Sequence, residues 1–202
     1  VTGADNHVVP DFVAGLKSGR LLSLADSRYI LVEPPHHVPP PRLDEFFFGL
    51  LVAGFVPILT HPERLTWIEH GYDLVANLVQ SGVWLQVTAG SLSGDFGRGA
   101  KYFAERLLDE GLVHILATDA HDMTKRPPRL RRGRDMAERR IGAVAAHHLV
   151  VTRPEGVLAN ELPGNLPGPG ADIVMSASVI HEQNARDRNR PRSERPRGGV
   201  AE

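Results

Sequence analysis

The sequence contains no cysteine. Disulfides, thiolate nucleophiles and Cys-ligated metal sites are thereby excluded, and any metal chemistry falls to His, Asp and Glu. Long apolar runs are missing as well. No segment approaches the roughly 18 apolar residues of a membrane-spanning helix, and no basic stretch followed by an apolar run opens the chain. No direct membrane insertion and a cytoplasmic location are therefore expected. Nor is there an excess of either charge: 23 Lys and Arg face 24 Asp and Glu, giving a net charge of −1. That balance supplies no global field to attract nucleic acid or an anionic membrane, so binding chemistry must be local.

What is present is a chain of 202 residues, 42% hydrophobic and 23% charged, which suits one folded domain with or without a tail. Composition shifts at Pro163. From there to Glu202 the text is Pro/Gly-rich and then carries six arginines interleaved with acids. Residues 1–162 are read as the domain and 163–202 as a flexible, solvated tail with too little apolar surface to offset its ordering entropy.

Within the domain, short Val/Ile/Leu-rich runs alternate with helical periods. Arg28–Glu33, Val56–Leu59, Val83–Val87, Val113–Ala117 and Leu149–Thr152 read as parallel strands buried on both faces. Leu43, Phe46, Phe47, Leu50 and Leu51 follow the i, i+3, i+4 rule of a helix that stops near Gly54. Two similar helices stop near Gly82 and Gly111. Polar or special residues recur beside the strands at Asp5, Glu33, His61, Ala89 and Asp119, with steps of 28, 28, 28 and 30 residues. One βα unit takes about 30 residues. If each strand delivers its last residue to the same side, these positions converge on one rim, as in (β/α) barrels. The glycine fingerprint of a dinucleotide-binding sheet is absent after the first strand.

The sharpest local text is Thr60-His61-Pro62-Glu63-Arg64, directly after a strand. The following proline predicts an extended-to-turn geometry for His61, which suits a metal ligand, although a capping or core histidine would read the same way. Asp119-Ala120-His121 sets a carboxylate and an imidazole two residues apart, an O/N donor pair for Mn, Fe or Zn. Glu33 ends an apolar strand, where a carboxylate is costly unless it is ion-paired or metal-bound. Asp5, in Gly3-Ala4-Asp5, is equally explained by turn chemistry. Arg64 and Arg126 supply forked donors suited to a phosphate or carboxylate, or are simply surface arginines.

Taken in order, Gly3-Ala4-Asp5, SLADSRYILVEPP, ILTHPER, LQVTAGSLSGDFG and HILATDAHDMTKRPP resemble the bacterial capsule- and exopolysaccharide-locus protein-tyrosine phosphatases of the polymerase and histidinol phosphatase (PHP) superfamily, from about Gly3 to Leu158. The resemblance implies an α/β fold, a distorted (β/α)7 TIM-like barrel, with up to three divalent ions, usually Mn²⁺ with Fe, Co, Zn or Mg as alternatives. It implies a substrate as well, the phosphotyrosine tail of a bacterial tyrosine autokinase. Carried over, Asp5, Glu33, His61, Asp119 and His121 fall on metal-ligand positions, and Arg64 and Arg126 on catalytic phosphate-binding positions. Asp5 stands where the family has Glu. The family also begins with a His-x-His, and none precedes Asp5 in a chain that opens on Val1. The expectation is a barrel incomplete at its N-terminus, with a catalytically silent phosphate-binding module or a small-molecule PHP phosphoesterase as alternatives.

Overall fold

A computed structural model describes residues 2–124 and 126–189. Five parallel strands form one sheet in the order of the chain: β1 (Asp5–His7), β2 (Tyr29–Glu33), β3 (Val56–Thr60), β4 (Trp84–Thr88) and β5 (Ile115–Ala117). Each parallel step requires a crossover, and helices supply it. α1 (Phe12–Lys17) follows β1, α2 (Leu43–Val52) follows β2, and α3 (Ile68–Gln80) follows β3. α4 (Ala89–Ser93) and α5 (Gly97–Asp109) follow β4. The helices α2 and α3 end where the sequence predicts. Gly54 at φ +89° and Gly82 at φ +104° turn the backbone through a left-handed region that disfavours a side chain.

The period-2 alternation of the strands sorts their side chains into two faces. Ile30, Val32, Leu59, Leu85, Val87 and Leu116 point towards the helices and belong to the main core. Tyr29, Ile58, Trp84 and Ile115 form the opposite face, with Leu31 and Ala117 partly buried beside them. Register places Leu31 beside Ile58 and Gln86 beside Ile115. On this second face, apolar residues occupy the early half of β2, β3 and β4, while Glu33, Thr60 and Thr88 occupy the end. The sheet therefore presents a polar rim above an apolar floor.

Two expectations are corrected. The run Leu149–Thr152 is not a strand: His148–Thr152 forms a wide π-helical turn between α7 (Ala143–His147) and α8 (Arg153–Leu158). A short apolar run fits a strand or a buried helix equally well. Here Pro154 follows at once, and its ring and missing N–H exclude a regular bond to the Val150 carbonyl, which favours a widened turn. Among the described residues the sheet is open, with β1 and β5 each paired on one side, so these strands do not close a seven-stranded barrel.

The second correction concerns the tail. The chain does not leave the body at Pro163. Pro163–Asn165 makes a helical turn, and Leu166 packs beneath the second face of the sheet. The fully buried Arg153 donates to the carbonyls of His114 (2.9 Å), Pro167 (2.9 Å) and Gly168. Val174 donates to the Ile141 carbonyl (2.9 Å) at the end of α6 (Leu130–Ile141). α9 (Ala177–Asn189) reaches the body through Arg140–Glu182 and Arg186–Asp109 contacts. A few anchors hold a segment whose average composition gives no sign of them; residues 190–202 of the expected tail lie outside the described part.

Candidate metal and phosphate site

The polar rim gathers Asp5, Glu33 and His61, whose donor atoms all lie within 4.8 Å of one another. Register explains part of this. His7 pairs with Glu33, so Asp5, at the start of β1 and not at its end as expected, stands opposite Leu31. The His61 Nε2 atom lies 3.2 Å from Glu33 Oε1, and His7 Nδ1 lies 3.2 Å from the other Glu33 oxygen. His7, which follows the Gly3-Ala4-Asp5 segment and is for that reason no expected substitute for a His-x-His, thus flanks the cluster. The Thr60 hydroxyl stands between the Asp5 carboxylate (3.4 Å) and the Val32 carbonyl (3.3 Å).

His61 is not extended. Its backbone is left-handed at φ 36°, ψ 49°, despite the proline that follows. Two bonds hold it there: its N–H donates to the Gln86 carbonyl (2.8 Å), and its carbonyl accepts from the Arg64 N–H (3.0 Å). Asp119 is likewise left-handed, at φ 50°. Of the seven non-glycine residues with positive φ among the described residues, these two lie at the rim, where hydrogen bonds hold His61 in a sparsely populated conformation.

The arginines and Asp119 form the second half of the site. Arg64 and Arg126 both donate to the same Asp119 oxygen, and His121 Nε2 lies 3.3 Å from the other. The expected Asp119 and His121 pair is therefore together, but in this arrangement its carboxylate serves the arginines and not the three-residue cluster. Burial works to raise the Asp119 carboxyl; the Arg64 hydrogen bond and the charges of Arg126 and Arg64 outweigh it and hold it below the usual range. At Asp5 the balance is opposite: partial desolvation, then repulsion from Glu33, pushes the carboxyl up to about 6. Burial, then the Arg64 charge, pushes His61 down, favouring the neutral imidazole that can ligate a metal.

Glu63 is a residue that sequence reasoning left unassigned inside its own motif. Its side chain is buried, Oε1 accepts from the Thr88 N–H (3.1 Å) and the Ser91 hydroxyl (2.7 Å), and burial pushes its carboxyl up to about 7. It pins the His61–Arg64 turn to the start of α4. Phe96, which lies inside the LQVTAGSLSGDFG segment but received no role, is the other omission. Its ring lies under the guanidinium of Arg64 at 4.3 Å and near that of Arg126 at 5.6 Å.

The donor set tests what the cluster could hold. Two carboxylates and a neutral imidazole within 4.8 Å match a mixed O/N site for a divalent ion of the Mn, Fe or Zn kind. The buried His61 Nδ1 has no hydrogen-bond partner, and like-charge crowding at Asp5 is relieved by a cation. The residues fit a metal.

Residues 1–159 match the sequence model of a family described as capsular polysaccharide synthesis, CpsB/CapC. The chain belongs to the CpsB/CapC family. The tyrosine-protein phosphatase YwqE of Bacillus subtilis is 36% identical over 124 residues, covering 61% of this chain and 49% of that protein. CapC of Staphylococcus aureus is 34% identical over 125 residues, 62% of this chain and 49% of that protein. The tyrosine-protein phosphatase CpsB of Streptococcus pneumoniae is 28% identical over 165 residues, 79% of this chain and 68% of that protein. The chain thus spans about half the length of the first two relatives. Crystallographic work on YwqE and CpsB, described there as unique metal-dependent tyrosine phosphatases, provides a chain that superposes with a TM-score of 0.77 at 30% identity. That match covers 86% of this chain and 69% of the other. The shared CpsB/CapC fold is an α/β architecture built on a parallel sheet.

Proposed function

We propose that this CpsB/CapC chain carries the metal- and phosphate-binding half of a metal-dependent protein-tyrosine phosphatase. In this reading the five-stranded sheet is part of a distorted (β/α)7 barrel, and the substrate is the phosphotyrosine tail of a bacterial autokinase in capsule or exopolysaccharide synthesis, acting in the cytoplasm. The observation that carries the reading is the convergence of Asp5, Glu33 and His61 beside a pair of arginines anchored on one carboxylate.

Asp5, Glu33 and His61 would hold the ion, with Asp119 and His121 as further ligands and Mn²⁺ as the preferred metal. A bound divalent ion would lower the pKa of water into the neutral range and polarise the phosphoryl oxygens. Arg64 and Arg126 supply the forked donors that hold those oxygens as their charge redistributes. Asp119 holds both guanidiniums together at the rim. Glu63 fixes the turn that carries His61 and Arg64. Without cysteine, no cysteinyl-phosphate intermediate can form.

The test is hydrolysis of a phosphotyrosyl peptide by the purified chain with added Mn²⁺ and with chelator, together with metal content. Turnover with Mn²⁺, its loss in chelator, and loss of bound metal in His61→Ala are expected. Equal turnover with and without metal refutes the reading. Absence of bound metal in the wild type favours instead a silent phosphate-binding module.

A further inference from the structure

His7 stands beside the metal site without belonging to the ligand set given above. Its Nδ1 faces one Glu33 oxygen at 3.2 Å, while His61 Nε2 faces the other at 3.2 Å. We propose that His7 is a metal ligand: His7 Nδ1 and Glu33 Oε2 bind a divalent cation on the β1 side of the cluster, and Glu33 bridges it to the ion at His61. The inference rests on the metal reading above and adds to it a ligand that strand pairing supplies and none of the sequence motifs contains.

The strands hold the two side chains in place. Asp5 and His7 alternate with Asn6 along β1, so they share one face of the strand. Asn6 points the other way and is buried, and its amide donates towards the carbonyls of Ala4 (3.1 Å), Leu22 (2.9 Å) and Leu31 (3.2 Å). Those bonds pin a strand of only three residues at its centre. His7 pairs in register with Glu33, and the next residue, Val8, donates its N–H to the Glu33 carbonyl (3.2 Å). Paired residues of neighbouring strands stand about 5 Å apart, so the imidazole and the carboxylate meet over one point of the rim.

Charge favours a cation at that point. Asp5 and Glu33 bring two carboxylates into the cluster, whereas the guanidiniums of Arg64 and Arg126 are bonded to Asp119. Two ligands of one ion with bonds of about 2.0–2.2 Å lie about 3 Å apart, so the His7–Glu33 separation is that of neighbouring ligands. Nitrogen beside carboxylate oxygen selects ions of the Mn, Fe or Zn kind. The His7 side chain is 79% exposed, which leaves coordination positions open to water or to a phosphoryl oxygen.

A plain ion pair between a protonated His7 and Glu33 has the same geometry and predicts the opposite response to metal. Removing a ligand weakens metal binding; removing a cation that competes for Glu33 leaves it equal or tighter. The experiment titrates Mn²⁺ into the chelator-stripped chain by calorimetry and counts the imidazole nitrogens on bound Mn²⁺ by electron spin-echo spectroscopy. It compares the wild type with His7→Gln and with His70→Gln, which removes an exposed histidine from α3. His7→Gln should lose one class of Mn²⁺ site, or bind there about tenfold or more weakly, since even a residue that only supports a ligand contributes that much. It should also lose the nitrogen signal of one imidazole, and His70→Gln should match the wild type. Mn²⁺ affinity in His7→Gln equal to or tighter than wild type, with an unchanged nitrogen signal, overturns the His7 ligand alone. Failure of the wild type to bind Mn²⁺ overturns the metal reading and this inference together.

Discussion

Replacing His114 with glutamine should flatten the acid side of the stability curve. His114 is 5% exposed, its Nδ1 accepts the Leu85 N–H at 3.1 Å, and its ring stacks on Trp84 at 4.8 Å. Burial, then the nearby Arg153 charge, pushes its pKa down from 6.5 to about 3. Protonation at Nδ1 would also break the bond to Leu85. Between about pH 3 and 6.5 the unfolded chain therefore binds a proton that the native chain refuses, so stability rises with pH across that window and is complete above it. With an unfolded pKa near 6.5, the loss is about 2 kcal/mol at pH 5 and about 3 kcal/mol at pH 4 relative to pH 7.5. Glu63 acts in the opposite sense, because its raised pKa makes stability fall as pH rises through about 7. The wild-type curve alone would blend the two. His114→Gln keeps an acceptor for Leu85 but cannot titrate, and Glu63 is common to both proteins, so the difference isolates His114. Urea unfolding in chelator at pH 5 and 7.5 should show the wild type losing about 2 kcal/mol relative to the variant. Parallel behaviour within about 0.5 kcal/mol would refute a histidine held neutral by burial.

Four further outcomes follow from packing and hydrogen bonding. Glu63→Ala leaves the Thr88 N–H and Ser91 hydroxyl without their acceptor and should cost about 1–3 kcal/mol, read from urea midpoints. Glu63→Gln retains an accepting oxygen and should match or exceed wild-type stability at pH 8, where the buried carboxylate is ionised. Gly133→Ala should destabilise by about 1–3 kcal/mol despite better helix propensity, since the new Cβ would meet Ala89 backbone and side-chain atoms at 2.6–2.8 Å. Leu166→Ala should lower the thermal midpoint if residues after Pro163 are integral to the body, since Leu166 packs against the lower core cluster and sits over Gly156. An unchanged midpoint would restore the tail reading for that segment.

The residues of the rim are legible because strands have a fixed period and βα units a narrow length. Those constraints place Glu33 and His61 at matching heights before any contact is known, and four of the five expected strand runs appear where the sequence places them. Asp5 shows the limit: its spacing fits, yet it starts its strand, and β1–β2 register sets it opposite Leu31, two residues before Glu33 on the same face. Leu149–Thr152 shows another, since a short apolar run carries no period and Pro154 makes it a wide helical turn.

By itself, the sequence determined the α/β order, the apolar strands, the helix stops at Gly54 and Gly82, and the residue types available for metal and phosphate. All of these are local consequences of periodicity and side-chain chemistry. Tertiary structure decided which groups meet. It turned His61 and Asp119 into left-handed conformations, gave Asp119 to two arginines, buried Glu63 beneath its own motif and set Phe96 against Arg64. It also folded Leu166 and Val174 back onto the body. Each of these depends on contacts between residues distant in the chain, and neither composition nor spacing encodes the directions in which distant side chains point.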